Sequence, residues 1–198
     1  KSMKKTIDPE QIIKNYGADA VRLFILSDSP PEKDIQWSEQ GMVASYKFIQ
    51  KLWMLHEKIK DKINHKSHDL DLENNFERFI NETISKFDYN LQKFNYNVLI
   101  ASLYETYNFF NNILEAKING EILLKNYIKI LTILSPIIPH FATECFDNLG
   151  INKIPNWPEV DKNKTKVDKV NFVVQINGKK KATISSNYNI NEKDLLDQ

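Results

Sequence analysis

Residues 7–26 read IDPEQIIKNYGADAVRLFIL, and the capping and turn residues in this stretch set the first local fold of the chain. Asp8 is a good N-cap, and Pro9 suits the first position of a helix because an N–H there would have no partner. Gly17 accepts the left-handed backbone that ends a helix. The pattern predicts two short helices joined by a glycine hinge, with Asp19 as the cap of the second.

The second of these helices is apolar nearly all round, which predicts that it is buried. Arg22 is the polar side chain in this run. Two interpretations of Arg22 are open: a structural ion pair with a nearby carboxylate, which we favour, and a phosphate contact. The apolar residues around it are Val21, Leu23, Phe24, Ile25 and Leu26.

The composition describes a globular protein of one domain or one and a half. The 198 residues are 41% hydrophobic and 27% charged, and no apolar run is long enough to span a bilayer. Cys145 is the single cysteine, so no internal disulfide can form, and we expect a reducing, cytoplasmic compartment. Five glycines among many long side chains favour helices over a barrel or a sandwich.

The charge is unevenly distributed along the chain. A net charge of +1 argues against a general nucleic-acid binder. The lysines nevertheless cluster, with acidic residues between the two clusters, so a basic face and a merely solvated surface both remain open. The lysines of the two clusters are Lys47, Lys51, Lys58, Lys60, Lys62 and Lys66, and then Lys162, Lys164, Lys166, Lys169, Lys179, Lys180 and Lys181.

Helical periodicity dominates the middle of the chain. Ser38 caps a long helix to about Ile63, and further helices are expected over 73–88, from Asn95 to Asn119-Gly120, over 121–134, and after a proline elbow up to about Leu149. Short loops make antiparallel neighbours the default, so we predict an up-and-down bundle. Its predicted core includes Tyr46, Trp53, Phe79, Phe87, Leu103, Tyr107, Ile130 and Leu134.

The sequence contains histidines and a cysteine, which are residue types used in catalysis and metal binding, but their positions do not fit either role. His65 and His68 have metal-like spacing, yet solvated histidines in a lysine-flanked linker are the better interpretation. His140 has no partner serine, so it and Cys145 are interpreted as packed core or capping residues. We therefore assign no catalytic residue and no metal ligand.

The end of the chain changes character. Residues 161–169 are charged and predict a linker. Residues 170–176 read as a strand, Asn177-Gly178 is a strong hairpin signal, and Lys179 to Ser185 returns. Leu195 and Leu196 begin a further helix. The fold class is therefore mainly α, an antiparallel helical bundle with a short hairpin-containing C-terminal piece.

Four motifs resemble class I aminoacyl-tRNA synthetases. Residues 7–26 resemble the segment after the Lys-Met-Ser-Lys-Ser ATP loop of that class. Residues 29–38 (SPPEKDIQWS) resemble the leucine enzymes of this class, and residues 134–144 (LSPIIPHFATE) resemble the end of the anticodon-binding bundle in the same subgroup. Residues 174–179 (VQINGK) resemble the start of the small C-terminal domain of bacterial-type leucyl-tRNA synthetases. The start of the chain resembles a remnant of the ATP loop but departs from its order, at Lys1, Ser2, Met3, Lys4 and Lys5.

The resemblance implies a division of labour with the rest of such an enzyme. Residues 1–37 correspond to a stem-contact segment, 38–160 to the anticodon-binding bundle, and 161–198 to the start of a small C-terminal domain. The implied partners are tRNA(Leu) and the upstream catalytic and editing domains, in a monomer. ATP and magnesium belong to the parent enzyme, and this chain alone is expected to hold no cofactor and to be inactive.

Positioning a tRNA needs cations for its phosphates. The residues expected to contact it are Arg22, Lys47, Lys51, Lys179, Lys180 and Lys181. The alternatives are the corresponding part of a valyl-, isoleucyl- or methionyl-tRNA synthetase, or a helical module that binds protein.

Overall fold

The computed structural model describes residues 7–28, 30–161, 164, 169–176, 179–187, 190, 191 and 194. The chain divides into two compact units, Lys1–Val160 and Asp161–Gln198. Three features predicted above lie outside the described residues: the ATP-loop remnant at 1–5, the Asn177-Gly178 turn, and the helix at Leu195 and Leu196.

Seven helices make up the described part of the first unit, and two strands lie in the second. The helices are α1 (Pro9–Tyr16), α2 (Ala18–Asp28), α3 (Glu39–Lys62), α4 (Leu70–Gln92), α5 (Tyr96–Glu115), α6 (Gly120–Leu134) and α7 (Pro139–Asn148). The strands are β1 (Lys169–Ile176) and β2 (Lys179–Asn187). Among the residues described, no helix combines the length and the apolar character that a membrane span needs.

The predicted glycine hinge between α1 and α2 is confirmed. The Asp8 carboxylate accepts the N–H of Glu10 at 3.0 Å and starts α1. Gly17 has φ of +80° and its N–H donates to the carbonyl of Ile13 at 2.8 Å, so α1 ends at the residue that tolerates this backbone. The chain then enters α2 without an intervening loop.

The prediction that α2 is buried holds for only part of the helix. Leu23 and Phe24 are buried, but Ile25 is 42% exposed and Val21 and Leu26 are half-buried. The reason is that α2 packs against α3, α5 and α7 without being enclosed by them.

Helix α3 begins and ends as predicted, but two of its predicted core residues are not fully buried. Ser38 Oγ accepts the N–H of Gly41 at 3.1 Å, which caps the first turn. Tyr46 and Trp53 were predicted to be core residues and are half-buried, because they lie at the edge of the face that contacts the bundle. The buried residues of α3 are Met42, Ser45, Phe48, Leu52, Leu55, His56 and Ile59.

Four of the eight predicted core residues are buried, and helices α4 and α5 are antiparallel as predicted. Phe87, Leu103, Ile130 and Leu134 are buried. Lys86 on α4 pairs with Glu105 on α5, and Phe76 contacts Phe109 and Phe110, so the two helices run antiparallel. The other two predicted core residues, Phe79 and Tyr107, are half-buried and pack against the main cluster from its rim.

Two helix boundaries differ from the prediction because of capping side chains. Helix α4 begins three residues earlier than expected, since Asp69 accepts the N–H of Leu72 at 3.0 Å. Asn119 does not end α5. Its side-chain oxygen accepts the N–H groups of Glu121 and Ile122 at 3.0 and 3.3 Å, which makes it the N-cap of α6.

Gly120 lies where α6 meets the end of α3. Its N–H donates to the carbonyl of His65 at 2.8 Å. A Cβ built on Gly120 would lie 2.1 Å from the carbonyl oxygen of Ile63, which is far inside contact distance. The two backbones can approach this closely only because the residue has no side chain.

The C-terminal unit contains the predicted antiparallel pair. Val174 pairs with Ala182, and the next pair is Gln175 with Lys180, so Lys181 is an extra residue in β2. This β-bulge interrupts the regular alternation of side chains along the strand. The helical bundle and the two-stranded sheet together confirm the fold class.

Candidate nucleic-acid interface

Helix α3 presents a basic stripe on the surface of the bundle. Lys47, Lys51, Met54 and Lys58 follow at spacings of four, three and four, so they lie along one side of the helix. We call this the lysine face. All four residues are exposed, and Met54 is 62% exposed.

The lysines of this helix differ in what they contact. Lys58 Nζ lies 3.4 Å from Asn111 Oδ1, and Lys62 Nζ donates to the carbonyl of Leu114 at the end of α5. Lys47 and Lys51 make no side-chain hydrogen bond or ion pair with any residue that the structure describes. These two lysines are therefore available to bind an anion.

The lysine face stands on a rigid support. Directly beneath it, Phe48, Leu52, Leu55 and Ile59 are at most 5% exposed and belong to buried core clusters. Helix α3 contacts α2, α5, α6 and α7. The Cα positions of Lys47 and Lys51 are thus held about one helical turn apart, about 6 Å, while their side chains are exposed to solvent.

Arg22 is engaged with the backbone and not with the expected carboxylate. Its Nε donates to the carbonyl of Ile137 at 2.9 Å, and its Nη2 donates to the carbonyl of Pro136 at 2.6 Å. Both carbonyls belong to the proline elbow between α6 and α7. The prediction of an ion pair is therefore wrong in its partner, although the structural role is as interpreted.

The hairpin lysines lie in the second unit. Lys179 and Lys180 are the first two residues of β2, and the side chain of Lys181 is exposed at the bulge. A bulge turns its extra residue away from the regular faces of the sheet. The exposed side chain of Lys181 therefore lies at the bulge.

A buried acid that caps a distant helix escaped the sequence interpretation. Asp19 is 6% exposed, and its two carboxylate oxygens accept the N–H groups of His140 and Phe141 at 3.3 and 2.6 Å. Helix α7 has Ile138 at its N-cap position, which cannot cap it. Asp19 thus caps α7 and not its own helix. The sequence did contain one signal: Pro139 marks the start of a helix, and Ile138 before it has no side chain that can cap that helix.

His140 lines an open cleft beside this cap. Its Nδ1 lies 2.9 Å from Asp19 Oδ1, and its side chain is 75% exposed, so it is not the packed core residue that was considered. The cleft has a volume of about 970 Å³ and lies between the α1–α2 hinge, the middle of α3 and the start of α7. Sequence reasoning did not find this cleft, since its walls come from three separate segments.

Cys145 and His56 belong to a buried hydrogen-bond network and not to a reactive site. His56 Nδ1 lies 3.0 Å from the Tyr127 hydroxyl, and its Nε2 lies 3.3 Å from Asn148 Oδ1. The Tyr127 hydroxyl donates to Cys145 Sγ at 3.8 Å. Burial lowers the pKa of His56 below 6.5 and raises the pKa of Cys145 to about 12. A thiol with that pKa is not a nucleophile at neutral pH.

The described residues hold no group of three or more His, Cys, Asp or Glu side chains that could bind a metal ion. His65 and His68 are both exposed, and His65 Nδ1 lies 3.4 Å from the carbonyl of Ile118. Neither histidine has a second ligand, among the residues described, of the kind that a zinc site needs.

Two protein families match this sequence. The pattern described as "Anticodon-binding domain of tRNA ligase" matches residues 73–196, which is more than half of the chain. The pattern described as "tRNA synthetases class I (I, L, M and V)" matches residues 1–38.

Similar proteins of known name are leucine–tRNA ligases. Those of Petrotoga mobilis and Fervidobacterium nodosum are each 34% identical over 98% of this chain, and that of Brachyspira hyodysenteriae is 35% identical over 100% of it. In each case the chain spans about a quarter of the relative's length, 25%.

A similar solved structure is the ternary complex of Agrobacterium radiobacter K84 agnB2 LeuRS with tRNA and LeuAMS. Its TM-score is 0.83 at 22% identity, over 100% of this chain and 26% of that one. At this identity the likeness establishes the fold. The helical bundle and the match over residues 73–196 together show that the chain belongs to the family of anticodon-binding domains of tRNA ligases.

Proposed function

We propose that this chain is the tRNA-positioning part of a leucine–tRNA ligase. In this role it positions tRNA(Leu) for the ATP-dependent leucylation that the upstream catalytic domain of the same parent chain carries out. Its partners within that chain are the catalytic domain and the editing domain. The observation that carries the proposal is the pair Lys47 and Lys51, exposed, without a partner among the described residues, and mounted on the buried core of an anticodon-binding bundle.

The lysine face suits a nucleic-acid backbone for electrostatic reasons. Two ammonium groups on one rigid helix attract phosphates whatever the base sequence, and their binding releases counterions from the RNA. Since this contact carries no sequence information, it orients the tRNA and leaves the choice of tRNA to other parts of the enzyme.

The other cations have different proposed roles. Lys181, with Lys179 and Lys180 beside it in β2, supplies a second phosphate contact from the C-terminal unit. Arg22 is left out of the phosphate-contact set, because two of its nitrogens already donate to the carbonyls of the elbow. We assign it the task of holding the elbow against α2.

The proposed organisation follows the three segments of the chain. Residues 1–37 contact the tRNA stem and join the catalytic domain, 38–160 form the bundle that supports the tRNA, and 161–198 begin the small C-terminal domain. The parent enzyme works in the cytoplasm, as a monomer, with ATP and magnesium. ATP and magnesium belong to the catalytic domain of the parent enzyme in this proposal.

A binding titration tests the proposal. The 198-residue chain is titrated with a tRNA(Leu) transcript and with bulk RNA, each at two salt concentrations, and binding is followed by anisotropy. Lys47→Ala/Lys51→Ala should weaken binding to both RNAs. It should also reduce the slope of log affinity against log salt by about two, because two fewer phosphates are neutralised.

Lys125→Ala is the matched control. Lys125 is also exposed, but it lies on α6 and not on the lysine face. Tyr127, two residues further along α6, contacts His56 of α3, and residues two apart on a helix do not share a face. Removal of the Lys125 side chain should leave both the affinity and the salt slope unchanged. Tight binding of a protein partner together with no salt-dependent binding of RNA would favour the helical interaction module instead.

A further inference from the structure

The cleft beside α3 has an apolar wall that a flat ring can contact. Its volume is about 970 Å³. Trp53 is half-buried and Met54 is 62% exposed at this wall, so both present apolar surface to solvent. The residues that line the cleft and matter here are Tyr16, Gln50, Trp53, Met54, His140 and Glu144.

The opposite side of the cleft carries positioned polar groups. His140 and Glu144 lie four residues apart on α7, which places them on one face of that helix. The imidazole of His140 is held through Nδ1 by the buried carboxylate of Asp19, at 2.9 Å. Its Nε2 has no hydrogen-bond partner among the described residues. This nitrogen can accept a hydrogen bond when the ring is neutral and can donate one when the ring is protonated.

The cleft adjoins the lysine face. Met54 belongs to both, and Gln50 lies three residues after Lys47. One turn of an α-helix rises about 5.4 Å. An RNA strand whose phosphates contact Lys47 and Lys51 therefore passes within one helical turn of the opening of the cleft.

We propose that this cleft binds an unpaired base of the tRNA whose backbone lies on the lysine face. The inference rests on the proposed function and names a further contact for it. The ring of the base packs against Trp53 and Met54, and its polar edge meets Gln50, His140 and Glu144. Bases that are not paired are commonly held in this way, by stacking on an aromatic side chain and by hydrogen bonds to their edges.

The charge of the cleft favours a base over a phosphate. Asp19 and Glu144 both carry carboxylates at the cleft, and these repel phosphate. The Glu144 carboxylate can instead accept a hydrogen bond from an amino group on a base. The phosphates therefore remain outside on Lys47 and Lys51 while the base enters.

Trp53 can serve as the reporter of base binding. The chain contains three tryptophans, and in the Trp37→Phe/Trp157→Phe variant Trp53 is the remaining one. Titration of this variant with the tRNA(Leu) transcript should quench Trp53 emission, with the same midpoint as the anisotropy. A fully paired RNA duplex should bind through its phosphates and leave the emission unchanged.

Gln50→Ala/His140→Ala in the same background separates a base contact from a phosphate contact. Both side chains are exposed, so the fold should be retained, and circular dichroism checks this. The affinity for tRNA should fall at least about fivefold with no change in the salt slope, whereas Lys47→Ala/Lys51→Ala changes the slope. Tyr89→Ala, an exposed aromatic of α4 outside the cleft, should change neither.

Three results would overturn the inference, and they differ in what else they affect. The base site is rejected, and the proposed function stands, if tRNA binding depends on salt but Trp53 emission does not change. The same conclusion follows if Gln50→Ala/His140→Ala binds tRNA with full affinity. An emission change that follows protein concentration without RNA means that a second copy covers the cleft. Absence of any tRNA binding by anisotropy rejects the proposed function and the base site together.

Discussion

Asp19 holds Phe141, which lies 122 residues further along the chain, through a hydrogen bond of 2.6 Å from the Phe141 N–H to Asp19 Oδ2. The second oxygen of the same carboxylate accepts the N–H of His140. One buried side chain on α2 therefore satisfies the start of α7, which no neighbouring residue can cap. This contact joins the hinge segment at the beginning of the chain to the last helix of the bundle.

Asp19→Asn should destabilise the bundle by about 1–3 kcal/mol, because a charged acceptor of two buried N–H groups becomes a neutral amide with one oxygen. His140→Ala should cost less than about 1 kcal/mol, since the His140 side chain is 75% exposed and only its side-chain contact with Asp19 is removed. Chemical denaturation of both variants makes the comparison. Equal losses in the two would show that the side-chain pair, and not the backbone cap, stabilises α7.

His56 should make the stability of the bundle sensitive to acid. Burial lowers its pKa below 6.5, so the unfolded chain binds a proton that the folded chain resists. The sign follows from this: the contribution is fully present above pH 6.5 and is lost as the pH falls toward the lower folded pKa. The unfolding free energy should fall by at most about 1.4 kcal/mol per pH unit from this group.

His56→Gln is the variant that checks this pH dependence. It removes the titrating ring and keeps a side chain that can hydrogen-bond to Tyr127 or Asn148. The variant should be less stable than the parent at about pH 8, and the difference should shrink toward about pH 5. A difference that stays constant over this range would mean that His56 is not protonated on unfolding.

Gly120→Ala should be among the most damaging small substitutions in the bundle. The added methyl would lie 2.1 Å from the Ile63 carbonyl oxygen, so α6 must move away from α3, at a cost of about 3 kcal/mol or more. Gly41→Ala is the comparison, because there the nearest atom, at 2.8 Å, belongs to the Phe24 ring, which can shift. Thermal unfolding that is equally affected in the two variants would contradict this account of the α3–α6 contact.

The first compact unit should fold without the second. The buried core clusters and the side chains packed against them all belong to residues 12–160. A chain ending at Val160 should therefore unfold within a few degrees of the 198-residue chain. It should also bind tRNA more weakly and with a smaller salt slope, because the hairpin lysines are gone. Loss of cooperative unfolding in the shorter chain would show that the division at Val160 is wrong.

Catalysis should be absent from the isolated chain. The proposed function leaves leucine activation to other domains of the parent enzyme, and the chain spans 25% of the length of relatives such as the Petrotoga mobilis ligase. We therefore expect no leucine-dependent exchange of pyrophosphate into ATP. Exchange above that of a heat-treated sample would place the catalytic groups within these residues.

The sequence alone determined the local elements, because their causes lie within a few positions. Asp8 and Ser38 cap the helices that follow them, and Gly17 ends α1 with a positive φ. The fold class followed from helical periodicity and the hairpin pattern. Lys47 and Lys51 were also accessible to this reasoning, since a spacing of four residues on a helix places two side chains on one face whatever surrounds them.

Only the tertiary structure decided which faces of these helices are buried and which partners the polar groups meet. Tyr46 and Trp53 follow helical spacing as well as Phe48 and Leu52 do, and the neighbours of α3 determine which pair is enclosed. Asp19 caps α7, and Arg22 holds the elbow, through partners more than 100 residues away. A pattern of neighbouring residues cannot specify such contacts, because they depend on how the packed core brings distant backbone together.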